Sequence, residues 1–310
     1  MMVPMLEWVV DAYLQLVAEG RTYVLLLPVY AVLLLGERVA HGVLSERPWN
    51  DRDAAANVAI TVTYLGVDVL IGKILPVGLM AWLFDHARLA TLPSGATGWL
   101  LAFLLHDLFW YVDHRIGHRV GFFWALHHVH HSSEEFNTTV ASRGFIFDNV
   151  FARPLFFLLP VFGVSAFQFI AVRIVVSIFG IMQHTRLVPK LPWLDRVLAT
   201  PSSHRVHHGR NDKYIDKNYG EVLMIWDHLF GTYQPEEEEP EYGVTEPIGT
   251  YNPIAIELAG LRWLGRRMAS ADRLADKLRY LIKPPEWQHD APQHAPPSVP
   301  VVAPESVRAD

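Results

Sequence analysis

The sequence predicts an all-α integral membrane protein, a helical bundle of about four spans or hairpin equivalents beneath a cytoplasmic, histidine-rich helical cap. Hydrophobic residues make up 51% of the 310 residues, and they gather into long segments that are almost free of charge. A helix needs about 20 mainly apolar residues to cross a bilayer. The histidines recur three and four residues apart, a spacing that places them on single helix faces.

Residues 1–98 are predicted to form the N-terminal membrane spans. Residues 22–36 contain no Asp, Glu, Lys or Arg, and residues 54–84 are apolar apart from Asp68 and Lys73. Charges inside a span usually face the interior of a bundle. We therefore expect both of these side chains to face the interior of the bundle or a water-filled cavity.

A second predicted unit, residues 99–234, combines apolar segments with most of the histidines. Its first apolar segment, residues 99–110, runs directly into a histidine motif. The apolar segment at 154–183 is broken at Pro160 and Gly163, so it is either a membrane hairpin or one tilted helix. We interpret this unit as the catalytic region.

The arginines of the loops give the predicted orientation in the membrane. They follow the first and the third apolar segments, whereas the intervening turn contains only Arg88. The arginines counted are Arg38, Arg47, Arg52, Arg115, Arg119, Arg143 and Arg153. The histidine motifs are therefore expected on the cytoplasmic side.

Residues 235–288 are interpreted as a linker followed by an amphipathic helix. The linker carries an acidic run at 236–239, and residues 254–283 repeat apolar side chains at three- and four-residue spacing among many arginines. This helix either lies on an anionic membrane leaflet or packs on the protein's own surface. Residues 289–310 are rich in Pro and Ala and are predicted to form a disordered tail.

The composition excludes several classes of function. The formal net charge of -6 argues against nucleic acid as a partner. The absence of cysteine excludes disulfides, thiolate chemistry and iron–sulfur clusters. The sequence contains no glycine-rich nucleotide fingerprint and no haem-attachment motif, so electrons for redox chemistry would have to come from outside the chain.

Three histidine motifs, one HxxxH and two HxxHH, stand out in the second unit. They comprise His114, His118, His127, His130, His131, His204, His207 and His208. Neutral imidazole binds zinc, copper, iron and nickel, and eight imidazoles are too many for one ion. The motifs therefore predict two adjacent metal ions with open coordination positions, rather than surface histidines or a closed structural zinc site.

The motifs and their surroundings resemble the fatty acid hydroxylase and sterol desaturase superfamily of integral-membrane di-iron enzymes. The resemblance rests on the order HxxxH, HxxHH, HxxHH and on the segments DLFWYVDHRIGH, TPSSHRVHHGRNDKYIDKNYG and WDHLFGTY, and it covers residues 101–233. The segments HHVHHSSEEFN and KPPEW favour the branch that contains alkylglycerol monooxygenase and similar bacterial proteins.

This resemblance implies two non-haem iron ions and a reaction that uses O2 and two electrons. The reaction would hydroxylate or desaturate a C–H bond of a lipid or sterol-like substrate. The electrons would come from a ferredoxin or reductase, or from a tetrahydropterin. The resemblance also implies a ninth metal ligand, His184, and a location in a bacterial inner membrane.

Other polar residues near the motifs have open roles. Each ligating imidazole needs a hydrogen-bond acceptor for its second nitrogen, and the candidates are Asp107, Asp113, Asp195, Asp216, Asp227 and Asn218. His106 lies about two helical turns before His114 and is a further candidate ligand. His128 points away from the ligand face, and His228 is expected to pack or to contact a ligand.

Two other functions stay open on the residues alone. A membrane zinc hydrolase would use metal-activated water, but the chain has no HExxH motif and supplies more imidazoles than a zinc site uses. A metal transporter or metal-binding membrane protein would spread its ligands along the spans. The histidines of this chain instead gather at one end of the apolar segments.

Overall fold

The computed structural model describes residues 22–70, 75–151 and 153–290. The regular structure of these ranges is helical, with two isolated β-bridges and no strand, so the all-α prediction is confirmed for the described chain. The predictions for residues 1–21, for the side chains of Asp68 and Lys73, and for the tail after residue 290 lie outside the described residues.

The helices are labelled in chain order. They are α1 (Thr22–Leu44), α2 (Asp51–Leu70), α3 (Leu75–Ala87), α4 (Gly95–Arg119), α5 (Gly121–His131), α6 (Asp148–Phe151), α7 (Ala166–Gln183), α8 (Pro201–His207), α9 (Ile225–Phe230), α10 (Pro253–Glu257), α11 (Ala259–Ser270) and α12 (Leu274–Ile282). Short 3-10 helices occur at Val140–Ser142 and Pro154–Leu158.

The apolar segments of the sequence correspond to α1 to α4 and to α7. The segment 54–84 forms two helices, α2 and α3, on either side of residues 71–74. The segment 99–110 continues into the first histidine motif within one uninterrupted helix, α4. The first motif is therefore fixed rigidly to the end of an apolar helix.

Helix α7 fits a membrane span by its length and composition. It has 18 residues and a mean hydropathy of 1.8, and among the helices of the described ranges it is the one that meets both requirements. A capping box fixes its start, because Ser165 accepts from the backbone N–H of Gln168 and the Gln168 side chain accepts in return. The number of about four spans stays a prediction.

A turn lies immediately before α7. Gly163 has a φ of +89°, a conformation that favours glycine, and a Cβ there would lie 2.5 Å from the carbonyl oxygen of Ala90. The break that the sequence shows at this position therefore separates a short 3-10 helix, Pro154–Leu158, from one continuous helix.

The C-terminal helices pack on the protein's own surface, against the histidine-bearing helix α5. A Cβ at Gly260 would lie 2.0 Å from the carbonyl oxygen of Ala125, and a Cβ at Gly121 would lie 2.0 Å from that of Tyr280. These two glycines let the backbones approach closely. The apolar contacts of this interface involve Ala125, Trp263, Leu264, Ala271 and Tyr280.

A buried arginine joins α2 to α5. The Arg143 side chain is 1% exposed and donates to the carbonyl oxygen of Val129 at 2.9 Å and to Asn57 Oδ1 at 2.6 Å. It also lies 3.4 Å from the Asp53 carboxylate. The side chains of Arg143 and Arg153 are both internal to the fold. Two of the arginines that the sequence analysis counted as loop charges are therefore not surface charges.

Candidate metal centre

Four helices bring the predicted ligands together. Helix α4 carries His114 and His118, and α5 carries the second motif. His184 is the C-cap of α7, and the third motif lies on α8 with His208 as its C-cap. Spacings of three and four residues align each motif on one helix face, so the imidazoles of all four helices face a common centre.

The nine histidines form two clusters that cut across the motifs. The first cluster contains five histidines and the second contains four, and within each cluster the candidate ligand nitrogens lie within 4.8 Å of one another. The first cluster is His114, His118, His127, His131 and His207. The second cluster is His130, His184, His204 and His208. Each HxxHH motif therefore contributes to both clusters.

The two clusters are adjacent. The ring centroids of His131, in the first cluster, and His208, in the second, are 4.3 Å apart and the rings are stacked. His130 and His131 are neighbours in sequence, yet they belong to different clusters, with centroids 5.3 Å apart. The structure thus brings all nine predicted histidines into one paired arrangement.

Close contacts between ring nitrogens fit bound cations. His127 Nε2 lies 3.1 Å from both His114 Nε2 and His131 Nε2, and His204 Nε2 lies 3.0 Å from His184 Nε2. The Nδ1 atoms of His114 and His184 donate to backbone carbonyls, so their Nε2 atoms carry lone pairs. A cation between such lone pairs would replace their repulsion by coordination, so these donor sets fit metal ions.

Four of the clustered imidazoles donate from Nδ1 to a backbone carbonyl oxygen, and these hydrogen bonds orient the rings. The acceptors are the carbonyl oxygens of Tyr219 for His114, Arg143 for His130, Gly180 for His184 and Lys217 for His207, at 2.8 to 3.0 Å. Such contacts fix the tautomer that leaves Nε2 free for a metal. The sequence pointed to carboxylates for this role and could not reveal the carbonyls.

The loop at residues 216–219 supplies two of these carbonyls and needs an unusual backbone. Asp216 and Asn218 have φ values of 60° and 55°, and both residue types tolerate this left-handed conformation better than most. The Asn218 side chain donates to the carbonyl oxygens of Ser203 and Gln234. Among the predicted orienting residues, Asn218 therefore acts on the loop rather than directly on an imidazole.

Among the described residues, one of the carboxylates predicted to orient the imidazoles contacts a clustered histidine. Asp216 lies 3.6 Å from His118 Nδ1 and also pairs with Arg119. Asp227 accepts from the N–H groups of Tyr219 and Gly220, so it supports the same loop.

The other three predicted carboxylates bind elsewhere. Asp107 accepts from the backbone N–H groups of Val222 and Leu223. Asp113 accepts from the Leu155 N–H, and Asp195 accepts from the Leu191 N–H. These three carboxylates therefore position the surrounding segments rather than the imidazoles.

Burial favours the neutral form of eight clustered imidazoles, which is the form that binds metal. It lowers the pKa of seven of them well below the usual value, and it lowers the pKa of His184 to about 4. Burial alone would raise the pKa of Asp216, but His118 and Arg119 bring it to about 2. This carboxylate is therefore ionised beside His118.

Three further histidines lie outside both clusters. His106 is buried against Phe156 and Phe169, and neither of its ring nitrogens has a hydrogen-bond partner in the described ranges. His128 is buried on the opposite face of α5, where it packs beside Gly260. His228 Nε2 bonds to the carbonyl oxygen of Arg196. None of the three joins the clustered nitrogens.

A cavity of ≈ 180 Å³ borders the histidines and was not predicted from the sequence. It is lined by His127, His130 and His184 and by side chains from α1, α2 and α7. We call it the charged cavity, because its lining contains the charged residues Arg143, Asp148, Arg153, Arg173 and Glu221. The available signal was the presence of charges within or beside apolar segments, which usually mark a functional interior.

Comparisons with known proteins agree with the site. The family model described as fatty acid hydroxylase matches residues 99–232. The chain is 38% identical over 218 residues to alkylglycerol monooxygenase of Danio rerio, covering 68% of this chain and 48% of that protein. It is 32% identical over 273 residues to alkylglycerol monooxygenase of Homo sapiens, covering 86% of this chain and 60% of that protein.

A bacterial relative is more distant. The chain is 28% identical over 156 residues to ornithine lipid hydroxylase OlsE of Rhizobium tropici, covering 48% of this chain and 46% of that protein. The chain spans about half the length of the relatives it matches. No solved structure gave a significant match to the chain.

Proposed function

This chain belongs to the fatty acid hydroxylase family through residues 99–232, and from that premise we propose that it is a membrane-bound, non-haem di-iron monooxygenase acting on a lipid. The reaction inserts one oxygen atom of O2 into a C–H bond and reduces the other to water, consuming two electrons and two protons. Hydroxylation is favoured over desaturation because the relatives are named as monooxygenases and hydroxylases.

The observation that carries this proposal is the pair of adjacent clusters built from histidine alone. Nine imidazoles exceed the needs of one ion, and neither cluster includes a carboxylate or, in this cysteine-free chain, a thiolate. The first cluster would hold one iron and the second cluster the other. When bound, two ferrous ions supply O2 activation and hydrogen abstraction from an unactivated C–H bond.

The chain's own residues would prepare and protect this centre. Backbone carbonyls hold the imidazole tautomers, and burial keeps the rings unprotonated. The charged cavity is bordered by Leu126 and Ile181 as well as by histidines, so it offers apolar surface to a hydrocarbon chain beside the centre. We assign substrate entry to this cavity.

The membrane location is part of the proposal. Its support is the length and apolarity of α7, together with the large exposed aliphatic side chains of α1 such as Val32 and Leu35. His184 ends α7, so the centre would sit at one mouth of the membrane domain. The arginine distribution favours the cytoplasmic side, and we propose a bacterial inner membrane as the location.

We propose that the electron donor approaches from a second cavity. This cavity, of ≈ 220 Å³, borders His118 and His207 and is also lined by Trp263 and Glu286 of the C-terminal region. It shares no lining residue with the charged cavity. A ferredoxin or reductase, or a tetrahydropterin, would deliver electrons there while the lipid occupies the other side.

The test combines metal analysis with isotope labelling. The full chain is purified in detergent without a metal-affinity tag, and its metals are quantified by elemental mass spectrometry. It is then incubated with a lipid extract, a reductant and ¹⁸O2. We expect about two irons per chain and ¹⁸O in a new lipid hydroxyl group. Zinc in place of iron, with oxygen derived from water, would instead identify a hydrolase.

A further inference from the structure

Exposed apolar side chains gather on two segments that are far apart in sequence. In the segment 191–197, Trp193 is 75% exposed and Val197 is also exposed. In helix α9, Leu229 is 67% exposed, and Ile225 and Phe230 are exposed beside it. These five side chains line neither the charged cavity nor the second cavity. The metal centre and its two cavities therefore give them no role.

The two segments form one continuous surface. The backbone N–H of Met224, at the start of α9, donates to the carbonyl oxygen of Val197 at 3.0 Å. The His228 ring lies on the same segment pair, with Nε2 3.0 Å from the carbonyl oxygen of Arg196. We call this surface the α9 surface, and it is formed by Trp193, Val197, Ile225, Leu229 and Phe230.

The α9 surface is attached to α4 where the apolar segment of that helix ends. Trp226 donates from Nε1 to the Asp107 carboxylate at 2.9 Å. The ring of Phe230 stacks on that of Tyr111, with centroids 5.3 Å apart. Both contacts lie at the C-terminal end of the apolar segment 99–110. In the proposed membrane location this end is the boundary of the bilayer, so the α9 surface lies at the same level.

The composition of the α9 surface favours lipid over protein as its occupant. Tryptophan together with exposed aliphatic side chains is typical of a membrane interface. The acidic residues of the two segments, Asp195 and Asp227, are buried, so the ionisable side chains exposed there are Arg196 and His228. An exposed cation beside apolar side chains complements an anionic leaflet. A redox partner would instead be steered by a larger charged surface.

The inner side of α9 supports the loop that orients the imidazoles. Asp227 accepts from the backbone N–H groups of Tyr219 and Gly220, both at 2.8 Å. The carbonyl oxygen of Tyr219 in turn accepts from Nδ1 of His114 at 2.9 Å. A contact that fixes the position of α9 therefore also fixes a ligand of the first cluster.

We propose that the α9 surface inserts into the interface of the bilayer and couples the membrane to the first histidine cluster. Trp193 and Leu229 contact the boundary between the head groups and the acyl chains. Asp227, on the opposite face of the same helix, transmits this contact to the loop at 216–219. The bilayer thereby stabilises the arrangement of the metal ligands. This assignment rests on the proposed membrane location.

Spin labelling tests the lipid contact directly, because the chain has no cysteine and can carry one label at a time. Leu229→Cys is labelled with a nitroxide, and the full chain is placed in nanodiscs that hold one chain each. We expect the label to be reached by O2, which dissolves in lipid, and to be protected from a water-soluble nickel chelate. Val175→Cys on the exposed face of α7 is the lipid control, and Asp212→Cys, at an exposed loop residue, is the aqueous control.

The labels also separate this assignment from the proposed function. Nickel access to the label of Leu229→Cys, with lipid access in Val175→Cys, would overturn the assignment while the membrane location stands. Protection of the Leu229→Cys label from both reagents would mean that protein covers the surface, and would overturn it too. Nickel access in both variants would overturn the membrane location itself. Lipid contact at the α9 surface without any O2-dependent product would refute the proposed reaction and support the assignment.

Hydrogen exchange in nanodiscs tests the coupling to the first cluster. Ile225→Ser weakens the apolar contact with lipid, so the amide hydrogens of Tyr219 and Gly220 should exchange roughly tenfold faster, and iron should be lost faster to a chelator. Ile225→Leu keeps an apolar side chain and should behave as the wild type. Ile254→Ser, at an exposed isoleucine of α10, is the matched control and should leave both rates unchanged. Wild-type exchange and iron release in Ile225→Ser would overturn the coupling.

Discussion

The two histidine clusters differ in number and in what supports them. The first has five histidines, and the loop at 216–219 supports it through two carbonyls and the Asp216 carboxylate. The second has four histidines, of which His130 and His184 donate to carbonyls of Arg143 and Gly180. Its His184 also terminates α7, the candidate membrane span.

This difference suggests unequal tolerance to change. Loss of one imidazole from the first cluster leaves four nitrogens, a sufficient set for many metal ions, whereas the same loss from the second leaves three. The second cluster also depends on a residue carried by a helix that the bilayer would position. We therefore expect the second cluster to be the more sensitive of the two.

The largest expected effect is that of His184→Ala. It should remove the second-cluster metal, leaving about one iron per chain, and abolish O2-dependent turnover. The measurement is iron content by elemental mass spectrometry together with Mössbauer spectroscopy. His106→Ala is the matched control, since it removes another buried histidine that lies outside both clusters. Two irons per chain in His184→Ala would contradict the assignment.

A smaller loss of metal is expected from His207→Ala. The first cluster keeps His114, His118, His127 and His131 in this variant, so iron affinity should fall while most iron is retained at saturating metal. Turnover should fall by more than the roughly 10- to 100-fold loss that is typical when a residue hydrogen-bonded to a metal ligand is substituted. Iron titration of metal-depleted protein measures the affinity. Complete loss of both irons would show that the first cluster is the fragile one.

Acid should destabilise the metal-free protein through the buried histidines of both clusters, and His184 allows the contribution of one of them to be measured. The folded-state pKa of His184 is about 4, and its unfolded value is near 6.5, so the unfolded chain binds more protons between these values. Stability is therefore complete above pH ~6.5 and falls as the pH approaches ~4, by up to about 3 kcal/mol for this residue. Thermal unfolding of wild type and His184→Gln at several pH values should show a weaker pH dependence in the variant.

The smallest expected effect is that of Asp216→Asn. The substitution keeps the left-handed backbone accessible but removes the charge beside His118, so metal affinity of the first cluster should fall roughly 10- to 100-fold. Competition with a chelator of known affinity measures the change. An unchanged affinity would mean that the carbonyls alone orient this cluster. Asp195→Asn is the control, because Asp195 touches no clustered histidine.

The sequence was sufficient to predict the helical class and the nine clustered histidines. Local spacing reveals which imidazoles share a helix face, but their division into clusters depends on how α4, α5, α7 and α8 dock. His130 and His131 illustrate the limit, since adjacent residues enter different clusters.

The supports of the site were harder to predict. Carbonyl acceptors such as that of Lys217 have no sequence signature, because every residue carries the same group. The charged cavity was missed for a related reason. Arg153, Arg173 and Glu221 are far apart in sequence, and only tertiary packing on Trp110 and Gly180 brings them together.

The division of each HxxHH motif between the two clusters has a consequence for assembly. Helices α5 and α8 each present ligands to both clusters, so neither site can reach its final geometry before both helices have docked. The first ion to bind would hold both helices in their docked positions. The second ion would then bind without the entropic cost of ordering them. Iron uptake should therefore be cooperative, and singly loaded chains should be scarce at intermediate iron concentrations.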